Sequence, residues 1–160
     1  MGKLLLTFIT YILLTGFSYG TEIITYGFDN KQNFSLPNIS SDQVLPILRS
    51  AMNEWERICD VRFIYDPYPS FMFRSREIDK KTFAYCYGRN GGITFNTVLP
   101  EGITWNADNL LYIGIHELGH LLGLRHNYRD DSIMRVPVIA TRPGFIDAIN
   151  VQRIWGKPKK

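Results

Sequence analysis

The run His116-Glu117-Leu118-Gly119-His120-Leu121-Leu122-Gly123-Leu124-Arg125-His126 constrains this chain more than any other segment. It contains all 3 histidines of the sequence. His116 and His120 stand four residues apart in an apolar stretch that predicts a helix from about Ala107 to Leu122. That spacing puts both imidazoles on one face, one turn apart. Glu117 falls on the flank of the same face. Gly123 can adopt a left-handed turn and end the helix, so the chain can fold back and bring His126 in from another direction. Three neutral imidazoles on one ion leave a fourth position open, an arrangement that suits zinc. Zinc acidifies a water and polarises a carbonyl under attack, and Glu117 is placed to take that water's proton and pass it to a leaving amine. The two-histidine pattern recurs by chance. The glycine and third histidine at the positions of the extended motif make it specific.

The chain around this motif has 160 residues, 45% of them hydrophobic and 21% charged, which excludes a disordered polymer and suits one domain with its own core. The formal net charge is +3. Lysines and arginines are scattered apart from Lys157, Lys159 and Lys160, so no nucleic-acid stripe is present. Residues 1–20 read as a secretory signal: Lys3, an apolar run from Leu4 to Leu14, then Ser18 and Gly20 as small residues before the cut. The run is short for a membrane span, and the alternative is an uncleaved anchor. The expected organisation is a signal over 1–20 and a single catalytic domain over 21–160, with no membrane attachment after cleavage. In an oxidising compartment Cys59 and Cys86 can form one disulfide; the other reading is two buried free thiols. Asn33 and Asn38 each begin a glycosylation triplet, a pattern frequent by chance.

Strands are expected at Glu22–Phe28, Val61–Tyr65, Phe83–Tyr87 and Ile93–Asn96, the last two joined by the Gly88–Gly92 turn as a hairpin or edge pair. Residues 71–82 read as charged and poorly periodic. Val44, Leu48, Ala51, Met52, Trp55 and Ile58 lie at helical spacing behind caps at Ser40 to Asp42. A last helix spans Phe145 to Trp155, with Ile146, Ile149, Ile154 and Trp155 as expected buried positions and Gly156 and Pro158 as its stop.

On these residues the sequence resembles the metzincin metallopeptidases, and within them the matrixins. The resemblance implies that His116, His120 and His126 bind one catalytic zinc and that Glu117 is the general base. Asp131-Ser132-Ile133-Met134 is similar to the family's turn beneath the zinc, making Met134 the Met-turn residue. Ile24 to Phe28, Ala51 to Trp55 and Ile146 to Gly156 resemble the first strand, the following helix and the final helix. The implied fold is α+β: a twisted, mostly parallel sheet with an active-site helix and a small C-terminal subdomain. Substrate in this family lies extended beneath an edge strand, here Phe83 to Tyr87, and residues 135–144 shape the pocket beyond the scissile bond, with Val138, Ile139 and Ala140 as an apolar lining. The departures are specific. No cysteine switch precedes the domain, no histidine is left for a structural zinc, and calcium loops are not evident between residues 66 and 106, which leaves calcium open. Asn127 stands where matrixins carry Ser or Thr, and Ile139 where they carry Tyr.

The implied function is a secreted zinc endopeptidase acting, as a monomer, on protein or peptide substrates. Two other classes fit the motif: a zinc-binding interaction protein without turnover, and a metal-dependent hydrolase of a non-peptide amide. Retention of Glu117 speaks against the first, because binding alone needs no general base.

Overall fold

A computed structural model describes residues 20–29 and 34–159. The expected signal over 1–20 therefore lies, Gly20 apart, outside the described residues, as does Asn33. Along the chain run β1 (Glu22–Phe28), α1 (Ser41–Glu56), β2 (Val61–Tyr65), β3 (Phe71–Arg76), β4 (Ala84–Cys86), the short helical turn α2 (Gly88–Gly91), β5 (Ile93–Asn96), α3 (Ala107–Leu121) and α4 (Phe145–Trp155). The strands form one sheet in the order β2-β1-β3-β5-β4. β2, β1, β3 and β5 are parallel, and β4 joins β5 antiparallel at the edge. The mostly parallel sheet and the β4–β5 edge pair match the sequence reading. β3 does not: it lies inside the stretch read as poorly periodic, yet it is a central strand. Phe71 and Phe73 alternate inward from it and are buried, while Arg74 and Arg76 turn to Asp29 on the rim of β1.

Strand alternation sends Ile24, Tyr26, Phe63, Phe73, Ile93 and Phe95 into one core. α1 and α3 cover that face and pack on each other. Their approach depends on Gly114, where an added Cβ would already touch Leu48 and Ala51 at 3.3 and 3.4 Å. Trp55 crosses the seam and donates from Nε1 to the Ile115 carbonyl at 2.9 Å, one residue before the first histidine. The start of α3 is set by Asn106 and Asn109, whose side chains each accept from the other's main-chain N–H at 2.9 Å.

The two sheet edges are treated differently. At β2, α1 supplies side chains in place of a neighbouring strand. Arg49 donates to the Phe63 carbonyl at 2.9 Å, Glu56 accepts from the Phe63 N–H at 2.7 Å, and the two side chains pair with each other. The outward main-chain groups of Phe63 are thereby occupied within the chain, which blunts that edge. The β4 edge borders the cavity over the histidines.

Two expectations are corrected here. Cys59 and Cys86 are free thiols. Cys59 lies two residues before β2 and Cys86 lies in β4, so four strand spacings, roughly 19 Å, separate the two strands; a disulfide needs Cα atoms within about 7 Å. In α4 the fully buried positions are Asp147 and Val151, whereas Ile154 is half exposed. That helix docks through a carboxylate more than through an isoleucine stripe. Among the described residues no helix is long and apolar enough to cross a membrane.

Candidate metal centre

α3 carries His116 and His120 one turn apart, and it ends as expected at Gly123, which has φ of 94°. The Leu124 N–H reaches back to the Gly119 carbonyl at 2.9 Å, closing the helix and redirecting the chain. His126 returns to the same point. The three Nε2 atoms lie 3.2 Å (His116–His120), 3.2 Å (His116–His126) and 2.9 Å (His120–His126) apart. His116 Nδ1 faces the Ile133 carbonyl at 2.7 Å and His120 Nδ1 the Leu124 carbonyl at 2.9 Å. A carbonyl can only accept, so both rings carry their proton on Nδ1 and present a bare lone pair at Nε2. Lone pairs this close repel one another unless a cation sits among them. Imidazoles at zinc's usual 2.0–2.1 Å in tetrahedral array stand roughly 3.3 Å apart, within a few tenths of an ångström of what is seen. The donor set therefore fits zinc. Burial pushes His116 down to about 4 and also lowers His120, keeping both rings neutral as metal ligation requires.

Glu117 points into the cavity of about 920 Å³ that covers the triad. It is 6% exposed, and its Oε2 has no hydrogen-bond partner. Burial alone pushes its carboxyl up to about 8. β4, Tyr112 and Ile113 of α3, and Val136 to Val138 line the cavity. Of the three residues expected to line the pocket, Val138 does so. Val136 and Pro137 take the places of Ile139, which is 55% exposed, and Ala140. Cys86 also lines this cavity, apart from Cys59; burial pushes its thiol up to about 12, so it stays protonated.

Met134 is fully buried beneath α3. A Cβ on Gly119 would meet its sulfur at 2.4 Å and the Trp55 ring at 3.0 Å, so the glycine between the two helical histidines is what admits Met134. Gly119→Ala gains helix propensity of up to about 1 kcal/mol but overpacks this contact, at about 1–3 kcal/mol. The expected net result is a lower Tm and weaker zinc binding, read by thermal melting and chelator competition. An unchanged Tm with full zinc affinity would show that the sulfur moves aside freely.

Sequence reading missed the residue that secures this turn. Asp147 of α4, fully buried, accepts from the Ser132 hydroxyl, from the Ile133 N–H at 2.9 Å and from the Gly144 N–H at 2.9 Å. Its signals were its place in the Ile146 to Gly156 stretch that resembles the matrixin final helix, where a similar Asp occurs, and an acid in that helix's first turn, which reads as an ordinary response to the helix dipole; neither assigned it a partner. Asn127, one of the departures from the matrixin pattern, joins the same network. Its side chain donates to Ser132 Oγ at 2.6 Å and its N–H to the Met134 carbonyl at 3.1 Å.

The matrixin model of peptidase family M10 matches residues 18–149. The chain belongs to the matrixins. This matrixin is 42% identical to mouse matrix metalloproteinase-21 over 55 residues, covering 32% of the chain and 10% of that protein. It is 32% identical to rat macrophage metalloelastase over 88 residues, 49% of the chain and 19% of that protein. Similarity to rat matrix metalloproteinase-16 is 24% over 178 aligned positions, 92% of the chain and 29% of that protein. The matrixin thus spans between about a tenth and three tenths of these relatives. Together the family and the histidine triad support a zinc ion at this centre.

Proposed function

We propose that this matrixin is a secreted zinc endopeptidase that hydrolyses peptide bonds of protein substrates. One observation carries the reading: three converging imidazole nitrogens share a cavity with a buried carboxyl whose Oε2 has no partner, beside an open strand edge. His116, His120 and His126 would hold one catalytic zinc. Bound there, zinc supplies Lewis acidity that activates water and polarises the scissile carbonyl. Glu117 takes the proton of the attacking water and delivers it to the leaving amine. Its place in the same cavity as the triad suits both halves of that task. β4 orients the peptide by main-chain pairing, and Val136 to Val138 favour an apolar side chain beyond the scissile bond. The leader over residues 1–20 supports export. A non-catalytic zinc protein gains nothing from burying a carboxyl with an unpartnered oxygen, which costs stability without return.

The test is a metal count with a protein substrate. Zinc is expected near one per chain, with cleavage of casein that is lost on chelation and restored by zinc. Zinc-loaded protein that cleaves no unfolded substrate would establish the binding reading instead.

A further inference from the structure

β4 presents its main chain to the cleft in a limited register. The Asn96 N–H donates to the Phe83 carbonyl at 2.8 Å and the Tyr87 N–H to the Gly92 carbonyl at 3.2 Å, so Phe83 and Tyr87 face β5. Main-chain groups alternate along an antiparallel ladder. Those of Ala84 and Cys86 therefore point away from β5, toward the cavity. The next residue of that phase toward the N-terminus is Thr82. Its N–H donates to Asp79 Oδ1 at 2.7 Å and its carbonyl accepts from Asn96 Nδ2 at 2.7 Å. Both groups are consumed within the chain.

Asn96 is fully buried at the end of β5. Its Nδ2 also donates to the Asp79 carbonyl, and its Oδ1 accepts from the N–H groups of Ile78 and Val98, each at 3.0 Å. A carboxamide offers two donors and two acceptor lone pairs, and all are used. Its main-chain carbonyl accepts from Trp105 Nε1 at 2.8 Å, anchoring the hub to the core. Asp79 extends the wiring by accepting from the Lys81 N–H at 2.6 Å and the Thr82 hydroxyl at 2.8 Å. Lys81, Thr82 and Phe83 line the cavity, so the segment held in this way is its rim.

We infer that Asn96 is a positioning residue of the substrate cleft: it ties rim residues 78–82 to β5 and occupies the Thr82 carbonyl, so that a bound peptide pairs with β4 through Ala84 and Cys86 alone. This rests on the reading of the cavity as a peptide site. Lys81 and Thr82 then meet the peptide through side chains only, and main-chain recognition on that side stops at Ala84.

Two measurements on the full zinc-loaded chain test it. Amide hydrogen exchange needs no turnover: the Ile78 and Val98 amides are protected in the wild type and exchange at least about tenfold faster in Asn96→Ala, the change expected for a lost hydrogen bond. Kinetics on a peptide that the wild type cleaves should show KM raised about tenfold in Asn96→Ala with kcat within about threefold, as for lost uniform binding. Inhibition by acetohydroxamate, which ligates metal and is too small to reach β4, should not change. Asp79→Ala, at an exposed site, should shift KM the same way by a smaller factor, and it decides the matter if Asn96→Ala does not fold. An unchanged KM, or a loss shared equally by acetohydroxamate, overturns the inference. If the wild type cleaves no peptide, the endopeptidase reading fails, while the exchange experiment still judges the tie between Asn96 and the rim.

Discussion

Glu117→Gln is expected to lower kcat on a protein substrate by about 10²–10⁴-fold, the range that positioned proton transfer contributes, while zinc content stays at the wild-type level. The amide keeps the volume and one acceptor but cannot take a proton from water. The same substitution should raise the stability of the zinc-free chain. Burial lifts the Glu117 carboxyl to about 8 from an ordinary 4.5. The folded state therefore holds more protons than the unfolded state between those values, and stability is present below 4.5 and lost as pH rises toward 8. His116 works in the opposite sense. Its imidazolium is disfavoured down to about 4 from an ordinary 6.5, so stability falls as pH drops through that window. The two slopes oppose each other between pH 4.5 and 6.5, and above 6.5 the decline due to Glu117 remains. Chelator-treated Glu117→Gln should show only the histidine slope, rising to pH 6.5 and then level, with a Tm at pH 8 above that of the wild type. A Tm at or below wild type at pH 8 would mean that Glu117 is not held as an uncompensated buried acid. Retained turnover would remove it from the reaction.

Much of the candidate site was legible because it is local. Two histidines four apart on a helix, a glycine that reverses the chain and a third histidine describe almost a complete geometry in eleven residues, His116 to His126. The helices α1 and α3 were legible from period and caps, and β1, β2 and the β4–β5 pair from aromatic and β-branched runs. β3 was hidden because its two buried phenylalanines are interleaved with Met72 and Arg74 and follow Pro67 and Pro69. Half of its alternation was visible, but the charges after it diluted the signal. The disulfide expectation came from compartment and loop length, and sheet order, which local sequence does not encode, places the thiols on opposite edges. Asn96 and Asp147 were hidden for a common reason. Each is a polar residue most of whose partners lie in other segments, between 2 and 18 residues away for Asn96 and 14 to 15 residues away, just before Met134, for Asp147. Their roles exist only once the chain has closed on itself. In both cases an apolar-core reading passes over the residue that organises the neighbourhood.

Asp147→Ala is expected to be the most damaging single change outside the zinc ligands. It leaves the Ser132 hydroxyl and the N–H groups of Ile133 and Gly144 without an acceptor in a buried site. Each unsatisfied group costs about 1–3 kcal/mol, against a total stability of about 5–15 kcal/mol for a domain. The damage should reach the metal by a short path. Ile133 is held at its N–H by Asp147 and offers its carbonyl to His116 Nδ1 at 2.7 Å. Releasing the first contact frees the second, and His116 loses the bond that fixes its tautomer and ring plane. Losses of that kind weaken metal binding about 10–100-fold. The variant should therefore show either no cooperative melt or a strongly lowered Tm, together with weaker zinc affinity by chelator competition. Asp147→Asn separates the two effects. It preserves volume and one acceptor oxygen but turns an N–H₂ toward a donor, so it should fold, melt at a lower temperature than the wild type and bind zinc less tightly. If Asp147→Asn melted lower yet bound zinc with wild-type affinity, the carboxylate would be holding α4 in place without setting the orientation of His116.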